Sequence, residues 1–444
     1  MQRLNKTIAW VGLILLALPG LAQETHTFSL QQTLDYAKKN NVQVKNALLD
    51  IQIQEQTNRE VTGSAYPQIK ATGALVYNAK LPISLIPAEF FGGAPGTFEE
   101  LPFGVKWNAT GGVSLSQILF DGTIFTGLKA RNTLIEYQEK TAAVTAENIK
   151  ANIYKIYYQL LVSKTQIELL DANLELLNKL QHDTKVMYDN GFAEKLDMDK
   201  IAVQVANLQT EKTNALNQVA NGYLGLKVLM GMPVKDSLLL TDSLTDDQVT
   251  QGIPDMGSFD YNQRLEYQAA SLGVKLNGYD VQRYKMAKLP TLALNGYYNK
   301  NAQRNKFNFL NNEDWFGISA FTLNLNIPIF TGFSANARIA KAKLVLQQSV
   351  NQQEALKNSI DNEVETARNN FNSALSSLGY QKKNMTLAEN VYQQTKKKFE
   401  AGTGSQTEIN QAQTDLKTAQ TNYINSLYNS IIAKVDFMKA TGKL

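Results

Sequence analysis

Two long proline-free segments with a sustained apolar period constrain the fold of this 444-residue chain more than any other feature. They run from Gly122 to Tyr188 and from Gly332 to Phe399. In both, apolar residues recur at steps of four and three, a period of about 3.5 residues that is typical of coiled-coil seams. At about 1.5 Å per residue, each segment predicts a helix of roughly 100 Å. The sequence therefore predicts an elongated molecule. The seam of the first segment comprises Ile149, Ile153, Ile156, Leu160, Ile167, Leu170, Leu174 and Leu177.

The chain also contains an internal duplication, which is a strong guide to architecture. Three landmarks recur in the same order: Ile118–Gly122 as Pro328–Gly332, Tyr188–Phe192 as Phe399–Thr403, and Pro67–Gly73 as Pro290–Gly296. The duplication predicts a first structural repeat at 23–231, a connector at 232–257 and a second repeat at 258–444.

Each repeat carries a pair of strand-like segments before its long helical segment. Apolar and polar residues alternate with a period of two, which indicates strands with one polar face. Segments of about ten residues fit transmembrane barrel strands, although strands of a soluble sandwich alternate in the same way. The predicted strands cover about 68–79, 104–118, 290–301 and 315–328, and aromatic residues for a membrane-interface belt would be Tyr77, Trp107, Tyr298 and Trp315.

The N-terminal residues 1–22 have the features of a secretory signal peptide. Arg3 and Lys6 precede an apolar run at 8–18, and small residues permit cleavage after Ala22. The run is shorter than the roughly 20 residues that span a bilayer, which favours a cleaved signal over an anchor. No later stretch is apolar enough for a transmembrane helix, so we expect the exported chain to enter a membrane only through β-strands.

Composition excludes several classes of chemistry. The chain has no Cys, which removes disulfides, thiolate metal sites, Cys nucleophiles and lipidated Cys anchors. Its two histidines, His26 and His182, are far apart in sequence, and the net charge of +4 is too mild for a nucleic-acid interface. We found no His-based dyad, phosphate-cradling glycine loop or nucleophile elbow. The sequence therefore predicts no enzyme, no metal, no cofactor and no nucleic-acid partner.

Four strands per chain are too few to close a membrane barrel. Closed transmembrane barrels begin at about eight strands, and an open sheet edge cannot face lipid. If the strands span a membrane, several copies must share one barrel, and the narrow helical seams must likewise pack against neighbours.

A turn motif recurs at the ends of the two long helical segments. Tyr188 and Gly191 stand in the same spacing as Phe399 and Gly402. With the duplicated halves and strand pairs, this motif makes the sequence resemble the TolC family of outer membrane efflux proteins over nearly the whole mature chain. The resemblance implies a mixed, mainly α fold: a duplicated helix–β-hairpin–long-helix–helix unit. It also implies a homotrimeric α-helical barrel, topped by a shared twelve-stranded transmembrane β-barrel, with the connector in the equatorial region.

The same resemblance implies a location and a function. The protein would reside in the cell outer membrane, in contact with its lipid, with a long periplasmic extension. It would be the duct of a tripartite efflux or type I-like secretion system, in which a periplasmic adaptor and an inner-membrane pump hand over substrates that leave passively. The alternative is an exported periplasmic coiled-coil structural or adaptor protein, which would need neither the strand pairs nor the duplication.

The two turns supply the predicted site residues. Tyr188, Gly191, Phe399 and Gly402 would form the periplasmic tips that dock the adaptor, and the glycines would also cap the helices in the left-handed conformation. An acid follows each glycine by six residues, Asp197 in the first turn and Glu408 in the second. These two are candidate gate residues because charged rings select ions in pores.

Glu408 has a second interpretation. Ser405 three residues before it completes a capping-box pattern, so a helix cap and a pore role are both open. Asp197 has Glu194 at that position and is the better gate candidate. Gln411 and Gly404 depart from the best-known family members, which have a second acid and a basic residue there, so the resemblance does not extend to a gate of paired acid rings and arginine latches.

The connections between the strands of each pair differ in length. The longer one, 81–102, and the shorter one, 301–314, suit extracellular loops. The longer loop either folds Phe90 and Phe91 over the pore or is a disordered tip.

Overall fold

A computed structural model describes residues 25–245, 247–250, 259–309 and 314–444. The predicted signal peptide, part of the predicted connector and part of the 301–314 loop lie outside these residues. The chain divides into two compact units, each of which draws on both sequence repeats. The helical unit consists of the described residues within Met1–Asp50, Gln138–Ala269 and Glu354–Leu444, and the strand unit of those within Ile51–Tyr137 and Ala270–Gln353.

Helices dominate the fold and confirm its mixed, mainly α class. They are α1 Leu30–Asn40, α2 Val42–Gly63, α3 Gly122–Asp189, α4 Lys195–Met230, α5 Asp247–Thr250, α6 Leu265–Met286, α7 Ser334–Glu400 and α8 Gln406–Ala440. The two proline-free segments form α3, of 68 residues, and α7, of 67 residues, both without interruption. Within the described ranges, none of these helices has the length and apolarity needed to cross a membrane.

Eight short and long strands accompany the helices in the described part of the chain. They are β1 Thr25–Phe28, β2 Gln68–Tyr77, β3 Ile83–Pro87, β4 Phe98–Pro102, β5 Trp107–Phe120, β6 Ser237–Leu240, β7 Thr291–Arg304 and β8 Phe316–Asn326. The segments predicted at 68–79, 104–118, 290–301 and 315–328 overlap β2, β5, β7 and β8, with ends that differ by up to about three residues.

The strand unit contains a four-stranded antiparallel sheet in the order β2-β5-β7-β8. Its inner junction joins the second strand of the first repeat to the first strand of the second repeat. Within one chain, β2 and β8 are the edge strands of this sheet. The register breaks once, at a bulge between Ile118 and Phe120.

The register gives the sheet one apolar and one polar face. Directly paired residues of antiparallel strands point to the same side, and Leu75 pairs with Ala109 while Leu294 pairs with Leu323. Apolar residues on this face remain exposed, with 79% of Phe321 and 74% of Ile69 accessible. The opposite face carries mainly polar residues: Lys70, Thr72, Thr110, Ser114, Asn295, Asn299, Thr322 and Asn324.

The longer strand connection is structured. β3 and β4 pair as a separate antiparallel hairpin, and a 3₁₀ turn at Ala88–Phe91 follows β3. The carboxylate of Glu89 accepts a hydrogen bond from the backbone N–H of Gly96 at 3.1 Å, which closes the hairpin end. Phe90 and Phe91 are exposed at this turn.

The predicted coiled-coil seam lies in the core of the helical unit. Ile149, Ile153 and Leu160 are buried in a first cluster, in which the rings of Phe371 and Phe437 stack at 6.0 Å. A second cluster contains seam residues of α3 with residues of α4, α7 and α8. We call it the turn cluster; its buried members are Leu170, Leu177, Leu180, Ile201, Val205, Leu208, Tyr392, Ile409, Ala412 and Leu416.

Part of the predicted connector has regular structure. β6 pairs in parallel with β1, from Thr25 opposite Ser237 to Phe28 opposite Leu240. Asp242 then accepts hydrogen bonds from the backbone N–H of Leu30 and from the buried hydroxyl of Tyr157, both at 2.8 Å. The connector is thereby fixed to the start of α1 and to the middle of α3.

Candidate functional site

The two helical turns have the same backbone geometry. Gly191 and Gly402 adopt φ angles of +82° and +72°, in the left-handed region where glycine is favoured. The residue after each glycine donates its N–H five residues back: Phe192 to Met187 at 2.8 Å, and Thr403 to Lys398 at 3.0 Å. This is the hydrogen-bond pattern of a Schellman C-cap. The duplication in sequence is therefore a duplication of turn geometry.

The helices that leave the turns begin differently. Ser405 and Glu408 form a complete capping box at the start of α8, with reciprocal bonds of 3.2 Å. At the start of α4 the N-cap is Glu194, which makes no side-chain cap hydrogen bond. Asp197 instead lies 3.7 Å from Nζ of Lys200, three residues along the same helix.

The aromatic residues of the two turns lie in different environments. Phe399 is half-buried against the turn cluster, whereas 41% of the side chain of Tyr188 is accessible. The first turn also exposes several apolar neighbours of Tyr188: Val186, Met187, Phe192 and Leu196. Phe399 therefore packs within the fold, whereas Tyr188, at the equivalent position of the other turn, is part of an exposed apolar surface.

The charges around the turns differ as well. Three consecutive lysines, Lys396, Lys397 and Lys398, lie near the C-terminal end of α7. Their positive charges interact favourably with the partial negative charge of the helix C-terminus. The first turn has no such run, and acids are interspersed there with lysines. Residues 183–200 contain the acids Asp183, Asp189, Glu194, Asp197 and Asp199.

Aromatic side chains meet at one end of the four-stranded sheet. The rings of Tyr77 and Trp107 lie 4.6 Å apart, and Trp107 lies 5.1 Å from Phe307. Phe307 contacts Phe309 at 5.6 Å, which lies 6.2 Å from Trp315. Three of the four predicted belt residues are thus linked through two phenylalanines that sequence reasoning missed. Both lie beyond the end of β7, at odd positions that do not continue its apolar face of even positions, so the strand pattern gave no signal for them.

Tyr298, the fourth predicted belt residue, is not part of this group. It shares the apolar face but pairs with Val113, six positions from the pair formed by Trp107 and Arg304. At about 3.3 Å per residue, Tyr298 lies roughly 20 Å along the strand from the aromatic end.

The helical unit contains a buried ion-pair network around Arg264. Its guanidinium donates to Glu363 at 2.9 Å, to Glu266 at 3.2 Å and to the carbonyl of Ala440 at 2.8 Å. Burial raises the pKa of Glu266, but the hydrogen bond and charge of Arg264 outweigh it and hold that pKa below its usual value. The network links the start of α6 to α7 and to the end of α8, which is a structural role.

The part of the chain that the structure describes contains no candidate metal site. No group of three or more His, Asp or Glu residues there is placed to hold a metal ion. What the described residues present are two helical turns and an open sheet with an exposed apolar face.

Comparison with known proteins relates this arrangement to membrane channels. Residues 262–443 match the model of the family described as "Outer membrane efflux protein". The chain is 21% identical to the outer membrane protein TolC of Vibrio cholerae over 75% of this chain and 76% of that protein. It is 22% identical to the outer membrane efflux protein BepC of Brucella suis over 94% of this chain and 86% of that protein.

Solved structures give the same relation at the level of the fold. The crystal structure of the Campylobacter jejuni CmeC outer membrane channel superposes with a TM-score of 0.76. The match covers 96% of this chain and 90% of the CmeC chain, at 15% sequence identity.

Proposed function

We propose that this chain, which belongs to the TolC family of outer membrane efflux proteins, is one subunit of a homotrimeric efflux duct. The protein is an outer membrane channel for efflux, and the members of its family are such channels. The proposal adds the trimer, the partners and the residues that meet them.

The observation that carries the shared barrel is the open four-stranded sheet with an exposed apolar face. Lipid provides no hydrogen-bond partners for the free backbone groups of β2 and β8, so both edges must pair with other strands. Two copies would already supply the minimum of about eight strands for a closed barrel, and it is the resemblance to the TolC family that implies three copies and twelve strands. The polar face would then line the channel and the apolar face would contact outer membrane lipid.

The turns are the proposed contact with the other components of the system. Tyr188 and its apolar neighbours form an exposed surface of the kind that binds a partner protein. We propose that a periplasmic adaptor docks on both turns, and that an inner-membrane pump supplies substrates and energy. Asp197 and Glu408 are the proposed charged residues at the periplasmic entrance, and Tyr77, Trp107, Tyr298 and Trp315 are the proposed interfacial aromatics.

The mass and shape of the detergent-extracted protein test the proposal. Light scattering should give three copies per particle, and negative-stain microscopy should show a detergent disc at one end of a long particle. A detergent-free monomer would overturn it, because the strands would then have no membrane partner. That result would favour the exported coiled-coil alternative, which the family matches do not support.

A further inference from the structure

The internal repeat determines how the open edges of neighbouring copies join. We infer that β8 of one copy pairs antiparallel with β2 of the next, with Phe321 opposite Tyr77 and Asn324 opposite Ala74. The inference rests on the proposed trimer and adds the register of its interface. The same pairing would occur three times in the closed barrel.

The first step is the correspondence between strands of the two repeats. Aligning Pro67–Gly73 with Pro290–Gly296 makes Gly73 the counterpart of Gly296. Aligning Ile118–Gly122 with Pro328–Gly332, without a gap, makes Gly111 the counterpart of Phe321. Gly73 does pair with Gly111 in the first hairpin, and Gly296 pairs with Phe321 in the second. Two independent sequence alignments therefore agree with the observed register.

The second step transfers the inner junction of the sheet to its free edges. At the β5–β7 junction, the second strand of one hairpin pairs with the first strand of the next hairpin. β8 of one copy and β2 of the next would pair in the same way. At this junction Gly111 pairs with Lys300, and Ser114 pairs with Tyr297. The counterpart of Gly111 is Phe321, and that of Lys300 is Tyr77.

The same transfer gives a pair of residues on the polar face of the sheet. Asn324 is the counterpart of Ser114, and Ala74 is the counterpart of Tyr297. The bulge at Ile118 lies four positions beyond Ser114, so it does not affect the transfer.

The faces of the two edge strands agree with this register. Phe321 and Leu323 lie on the apolar face of β8, and Tyr77 and Leu75 lie on the apolar face of β2. The inferred register therefore sets apolar residues opposite apolar residues on the lipid side. A shift by one residue would send paired side chains to opposite faces. A shift by two residues would preserve the faces, so it is the competing register that an experiment must exclude.

The absence of Cys in the natural chain allows a direct test by disulfide cross-linking. Directly opposed residues of antiparallel strands have Cα atoms about 4.5–5.5 Å apart, within the range a disulfide accepts. A chain carrying both Asn324→Cys and Ala74→Cys should form reducible covalent dimers and trimers under mild oxidation. We expect at least about fivefold more linked product than for a pair displaced by two residues, whose separation of about 7–8 Å is unfavourable.

Matched variants complete the design. Ser114→Cys with Tyr297→Cys forms the equivalent pair inside one chain and should link without joining copies. Each single variant should give no ladder of linked trimers. The displaced pairs are Asn324→Cys with Thr72→Cys and Asn324→Cys with Val76→Cys.

The possible outcomes separate the register from the trimer. Preferential linkage of the Asn324 and Ala74 variants supports the inference. Preferential linkage of a displaced pair overturns the register but leaves the trimeric duct in place. Linkage only in the intrachain control would overturn both, because β8 would then have no neighbouring β2.

Discussion

Oγ of Ser405 accepts a hydrogen bond from the backbone N–H of Glu408 at 3.2 Å, and the Glu408 carboxylate accepts one from the N–H of Ser405 at the same distance. These bonds satisfy two backbone donors at the start of α8 that have no partner within the helix. The Glu408 side chain is also exposed, so its negative charge is accessible to ions. The cap is observed, and the pore role stays a prediction.

Substituting Glu408 by Gln and by Ala separates the two roles. Gln can complete a capping box, so Glu408→Gln removes the charge and keeps the cap. Ala removes both, at a cost of about 1 kcal/mol of local stability, which corresponds to about fivefold faster amide exchange in the first turn of α8. A pore role requires altered cation block in both variants, measured by single-channel recording in planar bilayers. If only Glu408→Ala differs from the natural protein, Glu408 acts as a cap alone.

Substitution of Asp197 is the more direct test of the proposed gate. Its carboxylate lies 3.7 Å from Lys200, and both groups are partly exposed, so the pair contributes less than about 1 kcal/mol. Asp197→Asn should therefore leave the fold unchanged and weaken cation block or change conductance. Lys200→Gln is the matched control and should strengthen cation block, because the carboxylate then loses its neighbouring cation. Unchanged recordings in both variants would remove Asp197 from the proposed entrance.

The regular elements could be predicted because their cause is periodic in the sequence. The 3.5-residue period of α3 and the alternation along β5 both report which face of each element is buried or apolar. The duplication then gave the order of strands and helices, since each repeat had to fold in the same way. The mainly α fold class was confirmed for this reason.

Other features could not be predicted because they depend on contacts distant in sequence. The pairing of β1 with β6 joins segments separated by about two hundred residues, and neither is long enough for a periodic signal. The different burial of Tyr188 and Phe399 also has no local cause. The difference arises because Phe399 packs against the turn cluster and Tyr188 does not.

The turn glycines give a prediction about backbone conformation. Gly191→Val and Gly402→Val each place a β-branched residue at positive φ, at a cost of roughly 1–2 kcal/mol at the turn. We expect impaired efflux, measured as lowered drug tolerance, with a normal amount of protein in the outer membrane. Gly191→Asn and Gly402→Asn are the controls, because Asn tolerates the left-handed region. Normal drug tolerance in both Val variants would contradict a role for the turns in docking.

The buried tyrosines of the helical unit predict a loss of stability in alkali. Burial raises the pKa of Tyr157, and it raises the pKa of Tyr158 to about 12. Unfolded tyrosines ionise near pH 10. Because the folded protein holds these protons more tightly, their contribution to stability is complete below pH 10 and is lost as the pH rises towards 12.

Tyr157→Phe should make the alkaline loss of stability shallower and lower the neutral-pH stability by about 1 kcal/mol, because Asp242 loses a hydrogen bond. Denaturant midpoints from circular dichroism of the detergent-solubilised protein between pH 9 and 12 measure both effects. Tyr380→Phe is the control, since that side chain is largely exposed. An identical alkaline slope in the natural protein and in Tyr157→Phe would contradict the prediction.

The two equivalent turn aromatics should separate stability from docking. Phe399→Ala removes a ring that packs against the turn cluster, so we expect destabilisation below the roughly 3–5 kcal/mol lost from a fully buried Phe. Tyr188→Ala alters an exposed residue and should change stability by less than about 0.5 kcal/mol. It should nevertheless reduce efflux, because the apolar surface proposed for the adaptor loses its central ring. Amide exchange near each turn and drug tolerance are the two measurements. Efflux that falls with Phe399→Ala and stays normal with Tyr188→Ala would contradict a docking role for Tyr188.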